Sequence, residues 1–107
     1  MNAIKSLSKS EIEQNILGEW KSELEEMIYV FSDTPSVLKK DSFDLLVSNI
    51  KLNNYFLTMY CIITENENMF IEMGKGKSSV RYVVTCFAND EIHLESHESG
   101  LVILNKL

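Results

Sequence analysis

His93-Leu94-Glu95-Ser96-His97 sets two imidazoles four residues apart with a carboxylate between them, and Cys61 and Cys86 are the chain's two thiols. These side chains could ligate a metal or act as nucleophile and base. On a helix, the zinc-protease pattern needs its glutamate directly after the first histidine, where this chain has Leu94. On a strand, His93, Glu95 and His97 share one face, opposite Ile92 and Leu94. Neighbours on such a face stand about 7 Å apart, so two can share an ion and a third reaches it only with distortion. That face reads as solvated outer surface, and no metal or other cofactor is expected. A cysteine–histidine pair fares no better. Alternation groups Cys61 with Leu57, Met59 and Ile63, and Cys86 with Tyr82 and Val84, as inward-facing sets. A thiol there stays protonated, while the histidines face out. Gly76-Lys77-Ser78 ends like a phosphate-binding loop, but that motif would need its first glycine at Ile71, so the segment reads as a turn with basic tips. The chain is not expected to be an enzyme.

The elements that would carry these residues are mostly strands. Ser10 and Glu13 have capping-box spacing, and Ile12, Ile16 and Leu17 recur at helical intervals, which predicts a helix over about Glu11 to Leu17. Two readings compete for the next stretch. Trp20, Leu24, Met27, Ile28 and Phe31 would continue a helical stripe. Gly18 weakens a helix interior, however, and Ile28-Tyr29-Val30-Phe31 suits a pleated surface. Strands after a turn at Gly18 are favoured; a long helix packed on an antiparallel sheet is the alternative fold. Beyond Pro35, apolar runs at Phe43 to Leu52, Tyr55 to Thr64, Met69 to Met73, Val80 to Ala88, Ile92 to Leu94 and Leu101 to Leu104 are separated by short polar turns. No helical period intervenes, so the pattern predicts an antiparallel meander. About seven or eight strands would expose edges unless the sheet closes, and a small β-barrel satisfies that constraint. Its expected interior is Met59, Cys61, Met69, Ile71, Tyr82, Val84, Ile92 and Leu94. A side-chain-filled core is favoured over a ligand cavity.

Composition narrows the function classes. The 107 residues carry 10 Lys+Arg and 16 Asp+Glu, for a formal charge of −6, and 45 % are apolar. The length fits a single domain, residues 1–107, and the apolar share excludes intrinsic disorder. Unbroken apolar runs such as Met27 to Phe31 are far short of the roughly 20 residues of a membrane span, so no membrane partner is expected. Phosphates would repel the net negative charge, which argues against nucleic acid. The polar N-terminus lacks a signal-peptide apolar region, so a cytoplasmic protein with reduced thiols is expected. Glu19, Glu23, Glu25 and Glu26 cluster near the start of the fold. They read first as a solvated face, and more sharply as a patch steering a basic protein partner or mimicking nucleic-acid charge.

Gly18-Glu19-Trp20-Lys21, after a short helix and at the head of an all-β chain, resembles the Gly-x-Trp signature of lipocalin and calycin barrels. In those families the glycine lets the chain turn closely, the tryptophan plugs the barrel end, and a basic residue of the last strand covers the indole. Lys106 stands at that place. Among such barrels, the size and compartment are most similar to the staphostatins, cytoplasmic inhibitors of papain-like cysteine proteases. The resemblance implies that Glu98-Ser99-Gly100-Leu101, before the last strand, would be the inhibitory loop, with glycine misaligning the scissile bond. As a reading of the residues alone, Gly100 is a hairpin glycine. The functional expectation is a non-enzymatic barrel acting through protein–protein contact, with a cysteine protease as the partner the resemblance suggests. A carrier of a small apolar ligand and an acidic immunity or effector-neutralising protein are the alternatives.

Overall fold

The computed structural model describes residues 8–23, 26–37 and 39–107. One helix, α1 (Lys9–Asn15), precedes eight strands: β1 (Gly18–Ser22), β2 (Met27–Pro35), β3 (Phe43–Asn49), β4 (Asn54–Glu65), β5 (Asn68–Met73), β6 (Val80–Phe87), β7 (Glu91–Ser96) and β8 (Gly100–Lys106). Each strand pairs antiparallel with the next, and β8 returns to β1, so the sheet is a closed up-and-down barrel. Closure gives every strand a neighbour on both sides, although Asn54 to Thr58 of β4 pair only with β3 and keep one edge open. The expected small barrel with a short N-terminal helix is the fold. Gly18, at φ +116, breaks the helical reading of residues 18–31, and both halves of that stretch pair as strands.

The helix begins earlier than its expected cap. Ser8 and Glu11 form the capping box: Glu11 N–H donates to Ser8 Oγ at 3.2 Å, and Ser8 N–H to Glu11 Oε1 at 3.0 Å. Both Ser-x-x-Glu spacings are present, and the earlier one completes two turns before the chain must leave the helix ahead of Gly18. Ile12 and Ile16 then face the barrel end and are fully buried.

Inside the barrel, Trp20, Phe31, Leu45, Val47, Tyr60, Ile62, Met69, Ile71, Val84, Phe87, Ile92, Leu94, Val102 and Leu104 form one core with the two helix isoleucines. Met69, Ile71, Val84, Ile92 and Leu94 belong to the expected interior set, and Tyr82 packs against this core. The expectation for β4 is corrected. Thr58 pairs with Leu45 and Tyr60 with Phe43, which turns Thr58, Tyr60 and Ile62 inward and Leu57, Met59, Cys61 and Ile63 outward. Met59 is buried all the same, beneath Ser36, whose hydroxyl lies 3.9 Å from its sulfur. Apolar residues occupy both faces of β4, so alternation carries no register signal there, and a one-residue slip exchanges the faces. Cys86 is also corrected: a bulge between Val84 and Cys86 leaves it opposite His93, outside, and brings Phe87 in.

The β4–β5 hairpin turns through Asn66 (φ 51) and Glu67 (φ 68), both left-handed, between the paired Glu65 and Asn68. Such two-residue turns match the strand twist, but a glutamate at positive φ costs about 1 kcal/mol. Glu67→Gly should therefore raise the melting temperature by roughly 4–8 °C. An unchanged or lower midpoint in thermal denaturation would contradict this turn geometry.

Candidate functional site

The two barrel ends differ because alternate connections collect at each. α1, the β2–β3, β4–β5 and β6–β7 connections and the C-terminus lie at one end. The β1–β2, β3–β4, β5–β6 and β7–β8 connections lie at the other.

The first end is closed by Gly18, Trp20 and Lys106. Trp20 is fully buried, and its indole Nε1–H donates to the Ile16 carbonyl at 2.7 Å, tying helix to barrel. Lys106 is its cross-strand partner, and the ammonium lies 4.8 Å from the ring centroid, close enough for a cation–π contact. The same ammonium donates to the Leu17 carbonyl at 2.6 Å. A Cβ at Gly18 would sit 3.0 Å from that nitrogen, in a backbone conformation that side chains rarely adopt. Phe87 packs against Trp20 at 6.5 Å between centroids, and Phe31 meets Tyr60 edge-on at 5.0 Å. The Tyr60 hydroxyl donates to the Ser32 carbonyl at 2.8 Å. Burial, reinforced by the Glu13 and Asp33 carboxylates, pushes its pKa well above the usual phenol value, so it stays a neutral donor.

The opposite end is a mouth. A cavity of about 410 Å³ opens there, walled by the inward side chains of Met27, Tyr29, Leu45, Val47, Met73 and Val80. Polar groups are few: Thr58 is buried in the wall, and Ser78, Lys75 and the hydroxyl of Tyr82 sit at the margin. The side-chain-filled interior expected from the sequence holds for the plugged half of the barrel and not for this half. Trp20, Phe31, Tyr60 and Phe87 crowd the plugged end, while Tyr29, Phe56 and Tyr82 stand around the mouth with valines and methionines between them.

Glu98, Ser99, Gly100 and Leu101 lie at the mouth end, in the β7–β8 hairpin, all exposed. Ser96 pairs with Gly100, so the segment is a tight turn, and the Ser96 hydroxyl accepts from Ser99 N–H at 2.8 Å. Gly100 is left-handed at φ +68, and a Cβ there would meet nothing within 4 Å; its backbone angle alone calls for glycine. Ser99 also reaches Tyr82 across the cavity margin, at 3.4 Å between hydroxyl oxygens. The acidic residues are split. Glu19 stands on β1 toward the plugged end, where its carbonyl accepts from Leu107 N–H. Glu23 and Glu26 flank the β1–β2 connection at the mouth, and Lys21 lies 3.9 Å from Glu26. Glu25 lies outside the described residues.

The remaining chemistry-bearing side chains stay dispersed on the outer wall. His93 pairs with the Glu91 carboxylate, and His97 is an exposed turn residue. Inward parity, the ground for setting aside a cysteine–histidine pair, fails for both thiols: Cys61 faces out on β4, and Cys86 faces His93 across the sheet. None of them lines the mouth cavity. The Cys61 thiol pKa is raised by partial burial and by Glu72, against opposing effects of Lys39, a Ser42 hydrogen bond and Lys9. Among the described residues, no three His, Cys, Asp or Glu side chains converge as metal ligands. Comparison with protein-family models, with curated proteins and with solved structures gives no match.

The plug yields a direct test. Lys106→Met keeps the aliphatic stem over the indole and removes the charge and its hydrogen bond. It should cost about 1–2 kcal/mol of unfolding free energy. Urea titration followed by Trp20 fluorescence reads this as a lower midpoint, and an unmoved midpoint would leave the lysine no part in closing the barrel.

Proposed function

We propose that this chain is a non-enzymatic binding protein whose barrel takes up one small apolar ligand through its open mouth. The observation that carries this reading is the cavity of about 410 Å³ lined by Met27, Tyr29, Leu45, Val47, Met73 and Val80. Its size falls within the range of small-molecule sites, and its makeup, apolar walls with a few polar groups at the rim, matches theirs. An eight-stranded barrel is just wide enough for packed side chains or one small ligand, and here the plugged half takes the first option. A ligand would regain the dispersion contacts that the lining residues lack.

Protein contact is the second reading. Glu98 to Leu101 is exposed at the barrel end, as a protease-blocking segment must be. Its tight pairing across Ser96 and Gly100 favours a hairpin over an extended strand threading a cleft. The neutralising reading through an acidic patch draws less support, because Glu19 lies toward the other end from Glu23 and Glu26 and Lys21 stands on the strand between.

Titration with a fluorescent apolar probe such as N-phenyl-1-naphthylamine tests the leading reading. Saturable uptake is expected, reversed by medium-chain alcohols and weakened about tenfold or more by Val80→Trp, which would fill the mouth. Absence of saturable uptake, or equal uptake by Val80→Trp, would sink it. Stoichiometric inhibition of papain that Gly100→Arg abolishes would instead favour the second reading.

A further inference from the structure

The four connections around the mouth differ in charge. Strand order makes the β7–β8 and β1–β2 connections neighbours, because β8 pairs with β1. Between them they present Glu98, Glu23 and Glu26, all exposed. The β3–β4 and β5–β6 connections are neighbours on the other side, through the β4–β5 pair. They present Lys51, Lys75 and Lys77, also exposed. The mouth of this acidic chain is therefore polarised into an acidic and a basic half. Among the described residues, Lys21 and Arg81 on the wall and Lys39 in the β2–β3 connection each have a carboxylate within 4.0 Å, whereas none stands that close to the three mouth lysines.

The basic half is also where large apolar side chains project into solvent. Ile50 is 45 % exposed, Leu52 65 %, Tyr55 75 % and Phe56 54 %, all on the β3–β4 hairpin and the strand that leaves it. Phe56 and Lys75 both line the mouth cavity, so the apolar tip and the basic loop border the same opening. A cluster of exposed apolar residues beside unpaired cations marks an interaction site.

We propose that this half of the mouth docks on an anionic lipid surface, with Ile50 and Leu52 entering the headgroup–acyl boundary and Phe56 at the cavity margin beside them. Tyr55 would sit at headgroup depth, and Lys51, Lys75 and Lys77 would meet the lipid phosphates. A protruding hairpin tip suits a deformable bilayer better than a flat protein patch. A second copy of the chain fits poorly: charge pairing of two mouths would set Glu23 and Glu26 against Ile50 and Leu52, burying carboxylates on apolar groups. Glu26 borders this tip, its carbonyl accepting from Ile50 N–H at 2.8 Å, so the attraction rests on three lysines against that one carboxylate. The expectation of no membrane partner rested on the lack of a spanning segment, and no helix among the described residues is long and apolar enough to cross. Surface docking needs no span. The inference goes beyond ligand uptake and holds whether or not the cavity is filled.

Co-sedimentation of the full chain with vesicles tests it, using phosphatidylcholine alone and phosphatidylcholine mixed with phosphatidylglycerol. Binding is expected to the mixed vesicles at low salt, falling several-fold at about 0.5 M salt, as surface attraction is screened. Leu52→Asp should lower it several-fold, and so should Lys51→Gln, Lys75→Gln and Lys77→Gln combined, with Trp20 emission unchanged as evidence of an intact barrel. No binding to the mixed vesicles would overturn the proposal. So would binding that these variants leave untouched, or a mouth-to-mouth dimer in ultracentrifugation that Leu52→Asp disperses.

Discussion

Pairing of Trp20 with Lys106, Lys21 with Asn105 and Ser22 with Leu104 converts a curled sheet into a barrel. β1 is short, and everything it must do is compressed into a few residues. Gly18 turns the chain out of the helix, Trp20 fills the end it has just reached, and Ser22 completes the seam with β8. Removing that seam would expose two strand edges and open the Trp20 end to water. The seam is secured by more than the ladder: the indole N–H holds the end of α1, and the Lys106 ammonium spans the indole face and the Leu17 carbonyl. Backbone, aromatic ring and cation each satisfy a group that another element leaves unmet.

Closing one end so heavily has a consequence for the other. The large rings, Trp20, Phe31, Tyr60 and Phe87, pack toward the plug and are almost wholly buried. The cavity at the mouth is walled by aliphatic side chains and by Tyr29, Phe56 and Tyr82, which leave space between them. The apolar cavity opens at the mouth, while the depression at the helix end is bordered by Glu13, Gln14 and Asp33. The same topology that alternates connections between ends also gathers Glu98 with Glu23 and Glu26 on one side of the opening, and Lys51 with Lys75 and Lys77 on the other. The cavity and the charge distribution around it thus arise from one architecture.

Much of that architecture was legible in the residues. The alternation of β5, β6 and β7 and the turn at Gly18 predict strands, and the Gly18, Trp20 and Lys106 spacing anticipates the plug. What escaped has physical causes. Tyr55 to Thr64 is apolar on both faces, so the facing of β4 depends on its register with β3, which no local pattern reveals. The bulge before Cys86 inverts a face without any glycine or proline to announce it. Two overlapping Ser-x-x-Glu spacings make the helix start ambiguous until the length needed before Gly18 decides. The mouth was the least legible feature. Its cavity and its polarised rim are assembled from connections far apart in the chain, and only the order of strands around the barrel makes them neighbours.

Amide resonances followed by NMR during titration with an apolar probe test, residue by residue, whether the barrel binds at its mouth while the plugged end stays shut. Saturable shifts are expected at Val47, Thr58, Met73, Val80 and Tyr82, with Ile12, Trp20 and Phe87 unmoved. Shifts centred on the Trp20 end, or none that saturate, would contradict binding at the mouth.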